Sequence, residues 1–182
     1  MTSRANSEVP AFARTAMQAA LMAAGLLFFA QTSAEWKVVS QQEGSDTTTT
    51  IARTGNDDGY TLEIYRDNVG AVRSRFTLRD GLLRLADRSC PTYQIDRAPS
   101  INRSVNQAPC LSTDRWAEYI LGYVVDSRVE SRLLLSLMNG ININFRFRLA
   151  SGDYRETQFS LLGSKRSMTA AVGADVSVSI PR

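Results

Sequence analysis

The sequence predicts a mostly β chain: an antiparallel β-sandwich or barrel-like domain carrying one or two short helices. Three observations lead there. Ile141, Ile143, Phe145, Phe147 and Leu149 alternate with Asn142, Asn144, Arg146 and Arg148, a period of two that marks a strand with one wet and one dry face. Short stretches of similar character recur along the chain, separated by turn clusters such as Gly55-Asn56-Asp57-Asp58-Gly59, Asp67-Asn68-Val69-Gly70 and Asp80-Gly81, the rhythm of a sandwich or barrel. Between Tyr60 and Leu85 there is no room for the helix that a parallel crossover requires.

The first residues read as an export signal. Arg4 and Arg14 make a positive leader, an apolar run of Ala, Leu, Met and Phe extends from Ala16 to Ala30, and Thr32-Ser33-Ala34 ends in the small residues a signal peptidase needs. The expectation is a signal peptide over 1–34 and a single β-rich domain over 35–182. No cysteine follows the apolar run, so a lipid-modified N-terminus is not expected. No later segment approaches the roughly 20 apolar residues of a transmembrane helix. Removing 34 residues from 182 leaves 148, enough for one core.

In chain order, Glu35 to Ser40 opens as a strand with Trp36 as a core anchor, and Thr47 to Ile51 suits a β-branched strand. Tyr60, Leu62 and Ile64 form the next apolar face. Val72, Phe76 and Leu78 form its partner, with Arg73, Arg75 and Arg79 on the wet side. Leu82 to Ala86 reads as a strand reaching Cys90. Between the cysteines three prolines and a lack of periodicity from Ala98 to Ala108 indicate a long loop. Trp116 to Val125, apolar on nearly both faces, reads as a central strand. Ser131 to Met138 predicts helical turns, with Ser131 as cap and Gly140 as stop. After Leu149, Ser151-Gly152 is a turn, and Thr157, Phe159 and Leu161 return as the second arm of a hairpin. Ser164 to Val172 predicts a helix capped by Ser164 and ended by Gly173, and Val176, Val178 and Ile180 an edge strand.

Two cysteines, Cys90 and Cys110, in an exported chain predict a disulfide. Their spacing excludes a C-x-x-C redox pair. Without a single histidine in the chain, a cysteine metal site lacks its usual co-ligands, and Ser-His or Cys-His catalysis is excluded. The leader takes two basic and one acidic residue from the 21 and 18 of the full chain, leaving 19 and 17, a balance that does not point to nucleic acid.

Trp36-Lys37-Val38, Leu133-Leu134-Leu135-Ser136-Leu137, the alternating strand from Ile141 to Leu149, the turn at Gly152, and Phe159-Ser160-Leu161-Leu162-Gly163 leading into Ala170-Ala171 together resemble the invasion-associated locus B group of small periplasmic bacterial proteins. The resemblance covers about a third of the mature chain. It implies a periplasmic, β-rich, non-enzymatic protein linked to host-cell interaction or envelope stress, and it supplies no functional residues. Members of that group often carry a cysteine where this chain has Ser40, so their disulfide arrangement is not carried over.

The functional expectation is therefore an exported, periplasmic binding or structural protein with no catalytic residues, no metal and no cofactor, whose partner is an envelope or host protein or an anionic ligand. Ser164, Lys165 and Arg166 form a candidate anion cradle, because two cations in the first turn of a helix oppose its dipole unless an anion sits there. Arg73, Arg75, Arg79, Arg146 and Arg148 form candidate basic surfaces. The alternative is a carboxylate-dependent hydrolase drawing on Asp57, Asp58, Glu63, Glu118, Asp126 or Glu130. Asp57-Asp58-Gly59 hints at calcium but lacks the alternate-ligand spacing of a calcium loop.

Overall fold

A meander of four antiparallel strands, β1 (Lys37–Glu43), β2 (Thr47–Gly55), β3 (Thr61–Arg66) and β4 (Ala71–Thr77), opens the domain. The computed structural model describes residues 35–43, 47–101 and 110–181. The expected signal peptide and residues 102–109 of the expected loop thus lie outside the described residues. The turns of the meander follow from local chemistry. Asn56 Oδ1 accepts the Tyr60 N–H at 3.0 Å, and Asp67 Oδ1 accepts those of Val69 and Ala71 at 3.0 and 2.8 Å, the side-chain turn bonds that favour Asn and Asp there.

The meander continues through β4 into β7 (Trp116–Val125), with a register shift between Val72 and Arg73. The other edge of β7 is shared. β6 (Cys110–Ser112) pairs with its first half and β8 (Arg128–Glu130) with its end, and β11 (Ser177–Ser179) lies parallel to β8. The second sheet holds β5 (Thr92–Ile95), β9 (Asn142–Arg148) and β10 (Tyr154–Ser160), in the order β10-β9-β5.

Between the sheets lies the core. Leu62, Ile64, Phe76 and Tyr119 come from the large sheet, and Ile143, Phe145, Phe147 and Phe159 from the small one; all are buried. Phe76 stacks on Phe145 at 4.8 Å between centroids and meets Phe159 edge-on at 6.2 Å. Cutting Phe76 back to alanine removes the centre of this cluster, at a cost of about 3–5 kcal/mol.

Two helices complete this core. In α1 (Arg132–Asn139), Ser131 caps the first turn by accepting the Leu134 N–H at 3.0 Å, and its own hydroxyl donates to Leu121 O at 2.7 Å. Gly140 ends it, and a Cβ there would lie 2.7 Å from Ser136 O, so no other residue fits without a shift. α2 (Ser164–Val172) buries Met168, Ala171 and Val172 and packs on β2 and β3. Trp36 is buried, and its Nε1 donates to Ser160 O at 2.8 Å, tying the start of the domain to β10.

The mostly β, largely antiparallel sandwich is as expected, as are the central strand at β7, the hairpin of β9 and β10 and the capped helix α1. Four expectations are corrected. Leu82 to Ala86 is not a strand: Leu82 is almost fully exposed, Leu83 packs against the core only partly buried, and Leu85, the one buried residue of the stretch, makes a single bridge to Leu149. The stretch between the cysteines is not one long loop, because Thr92–Ile95 forms β5 and Ile101 bridges to Tyr93. Ile141 precedes its strand and is exposed, since β9 begins at Asn142. α2 is capped not by Ser164 but by Gly163 in the left-handed conformation at φ 79°.

Cys90 and Cys110 form the expected disulfide. It joins the approach to β5 in one sheet to β6 in the other. Beside it, the Tyr119 hydroxyl donates to Pro91 O at 2.6 Å, a second tie between the sheets.

Candidate functional site

Each sheet has one face away from the core, and the two faces differ in chemistry. On the large sheet, register sets Arg53 of β2 beside Glu63 of β3, Glu63 beside Arg75 of β4, and Arg75 beside Glu118 of β7. Signs alternate across four strands. Arg53 Nε lies 2.6 Å from Glu63 Oε1. Glu118, 4% exposed, is the hub: Arg73 Nη1 donates to it at 2.8 Å, Arg75 Nε at 2.9 Å, and the Tyr65 hydroxyl donates to it as well. Arg73 Nε also reaches Asp67 Oδ2 at 2.7 Å, and the Arg75 guanidinium lies 5.1 Å from the ring centres of both Tyr65 and Trp116.

The electrostatics follow from these contacts. Burial and then the hydrogen bond and charge of Glu118 push the Tyr65 phenol well above its ordinary range, outweighing the arginines. Burial alone would raise Asp67, but the bond and charge of Arg73 and the N–H groups of Ala71 and Val69 hold its carboxyl below the usual carboxylate range. Arg73 is likewise opposed by burial yet raised by Asp67 and Glu118.

The expectation that Arg73 and Arg75 form a solvated basic surface is corrected accordingly: both are half-buried and engaged by acids. Arg79 lies exposed beyond the end of β4. Glu63 and Glu118 stand two strands apart, roughly 10 Å between backbones, with the Arg75 strand between them, and each is held by arginine. Asp57, Asp58, Asp126 and Glu130 are exposed, and Asp58 accepts a bond from Thr157 Oγ1 at 2.6 Å. Among the described residues no group of three His, Cys, Asp or Glu side chains is placed to hold a metal ion.

The outer face of the small sheet is built differently. Gln94, Asn144 and Gln158 stand in one row across its three strands, and Thr92, Arg146 and Glu156 in the next. Arg148 and Tyr154 make the third. A cavity of about 450 Å³ is lined by Gln94 and Asn144 of the first row and by all of the second, and is bounded by Ser100; Gln158 stands next to Asn144 in the first row, and a second cavity of about 360 Å³ extends past Arg148 and Tyr154 to Cys90. Thr92 and Arg146 line both, so the two are parts of one groove. Arg146 is stacked at 5.1 Å on the Tyr154 ring, with its Nε 3.6 Å from Glu156 Oε1. Among the described residues no ion pair involves Arg148, and the Asn144 and Gln158 side chains make no hydrogen bond.

The third candidate, the start of α2, is only partly what was expected. Lys165 and Arg166 are exposed, and among the described residues neither joins an ion pair. Ser164 is fully buried, and its hydroxyl donates to Leu137 O at 2.9 Å. The cradle thus lacks its serine: that hydroxyl joins the two helices.

Reading the sequence found Arg146 and Arg148 but missed Gln94, Asn144, Tyr154 and Gln158 as their companions. The alternation from Ile141 already set Asn144 on their face. β5 left no such signal. No family model, no curated protein and no solved structure matches the chain.

Proposed function

We propose that this chain is an exported, non-enzymatic binding protein of the periplasm, and that it binds through the outer face of the sheet formed by β5, β9 and β10. One observation carries the reading. Acids and arginines on the large sheet neutralise one another, whereas the groove over the small sheet is lined by Asn144 and Arg148, whose side chains have no hydrogen-bond or ion-pair partner among the described residues, beside Gln94, Thr92 and Arg146, which are partly engaged, and polar groups free to meet a ligand give a pocket its specificity. The leader and the resemblance to the invasion-associated locus B group support the periplasmic part. Arginine partners for both buried glutamates argue for a framework rather than for a carboxylate pair free to exchange protons.

Two measurements test this. Mass spectrometry of the exported protein is expected to find a chain beginning at Glu35; an intact N-terminus in the membrane fraction would refute export by cleavage. Side-chain amide NMR of the exported protein, titrated with a panel of sugars, nucleotides, inorganic anions and phospholipid vesicles, is expected to move the Asn144 and Gln158 signals with at least one of them. Silence across the panel, or turnover of any member, sinks the reading.

A further inference from the structure

We infer that the groove over β5, β9 and β10 takes an acidic glycan, a chain of sugar hydroxyls bearing carboxylates. This rests on the binding role proposed above and names its ligand class. Side chains on this face stand about 4.8 Å apart across the strands and about 6.8 Å apart along them, so Arg148 and Asn144 define a groove floor about 14 Å long.

The amide row, Gln94, Asn144 and Gln158, decides for hydroxyls. Each amide carries both a donor and an acceptor, Gln94 with one N–H already given to Ala98 O at 2.8 Å, and each hydroxyl of a vicinal pair likewise offers both. A bare sulfate only accepts and leaves the amide oxygens unmatched, and a phosphate near neutral pH carries few O–H donors to offer the row. A protein partner would need an apolar centre, yet the three rows contain one aromatic ring, Tyr154, and no aliphatic side chain larger than the methyl of Thr92. Tyr154 is 62% exposed, an apolar plane against which the C–H face of a sugar ring can pack.

Arg148 decides for the carboxylate. Its guanidinium lines the groove with no acid paired to it among the described residues, and a guanidinium fork matches a carboxylate through two parallel bonds. Arg146, which lies 3.6 Å from Glu156 and over the Tyr154 ring, supplies a donor between the carboxylate end and the hydroxyl end.

The test uses the exported, isotope-labelled protein and five probes: tetragalacturonate, its methyl ester, a hyaluronan tetrasaccharide, inorganic phosphate, and phosphatidylglycerol vesicles. At least one acidic tetrasaccharide is expected to shift the Asn144 and Gln158 side-chain amides. The methyl ester, or Arg148→Ala, should weaken binding at least tenfold. The pair Asn144→Ala and Gln158→Ala should weaken acid and ester by the same factor, and Lys165→Glu with Arg166→Glu should change nothing. All substitutions lie on exposed or half-exposed positions, and a thermal melt of each confirms folding. Equal binding of acid and ester, or equal weakening by the Lys165 and Arg166 changes, overturns the inference. If phosphate or vesicles move the amides and neither glycan does, the ligand class is wrong while the binding face stands. If no probe moves them, both fall.

Discussion

Glu118→Ala is the sharpest test of how the large sheet is held together. The carboxylate is 4% exposed and accepts from Arg73, Arg75 and Tyr65, so its removal strands two cations and a phenol at once. Hydrogen bonds to charged groups contribute about 1.5–3 kcal/mol each, and breaking a buried pair by deleting one partner costs about 3–5 kcal/mol. The side chains of Arg73 and Arg75 keep 20% and 31% of their exposure, and Arg73 retains Asp67, so both can partly recover solvation. That places the expected loss near the lower end, about 3 kcal/mol. In urea, with a slope of about 2 kcal/mol per molar, the unfolding midpoint should fall by about 1.5 M. Glu118→Gln, which keeps an acceptor but loses the charge, should fall by about half as much. A drop under about 0.5 M for the alanine variant would refute the reasoning, since the arginines would then be surface groups that water satisfies equally well.

Four further outcomes are expected. Asp67, whose carboxyl is held low in the fold, stabilises above pH of about 4 and ceases to as pH falls through its folded value, so acid titration should narrow the stability gap between wild type and Asp67→Asn. Tyr65, whose phenol is held high, stays neutral in the fold while the unfolded chain ionises above pH of about 10. Tyr65→Phe should therefore lose less stability on alkaline titration, by up to about 1.4 kcal/mol per pH unit. Thiol titration of the denatured, unreduced protein should find none free, and Cys90→Ser with Cys110→Ser should lower stability by about 3 kcal/mol for a cross-link spanning 20 residues, read in the same urea assay. Lys165→Glu with Arg166→Glu should raise stability by about 0.3–1 kcal/mol per site, because an acid in the first turn suits the helix dipole; a lowered melting temperature would show that these cations have partners.

Much of the fold was legible because its longest strands each bury one face. β9 announces itself by alternation, and every predicted inward residue from Ile143 to Leu149 is buried. β6 and β8, at three residues each, are too short to show a period. β5 has four residues set between Pro91 and Pro99, where proline reads as loop. Leu82 to Ala86 misled in the opposite direction: its apolar composition matches a strand, but composition does not say which residues point inward, and Leu85 is buried and Leu83 partly so while Leu82 faces solvent. At α2, Gly163 and Ser164 both suit a cap. The choice was made by Leu137 O, a partner 27 residues away, which no local rule can see.

The same distinction between local and non-local information explains the two outer faces. Alternation shows that Arg73 and Arg75 point away from the core, and it shows the same for Arg146 and Arg148. What meets each pair is set by strand pairing: β4 lies against β7, which brings Glu118 across 45 residues to Arg73, while β9 lies between β5 and β10, which bring Gln94 and Gln158 to Asn144. Acids opposite arginines close one face on itself. Amides opposite an amide, with an arginine beyond them left unpaired, leave the other open, and water can hold those groups at no cost until a ligand replaces it. The physical case for a binding face therefore lies in the contrast between two sheets of one domain, one of which has spent its charge internally.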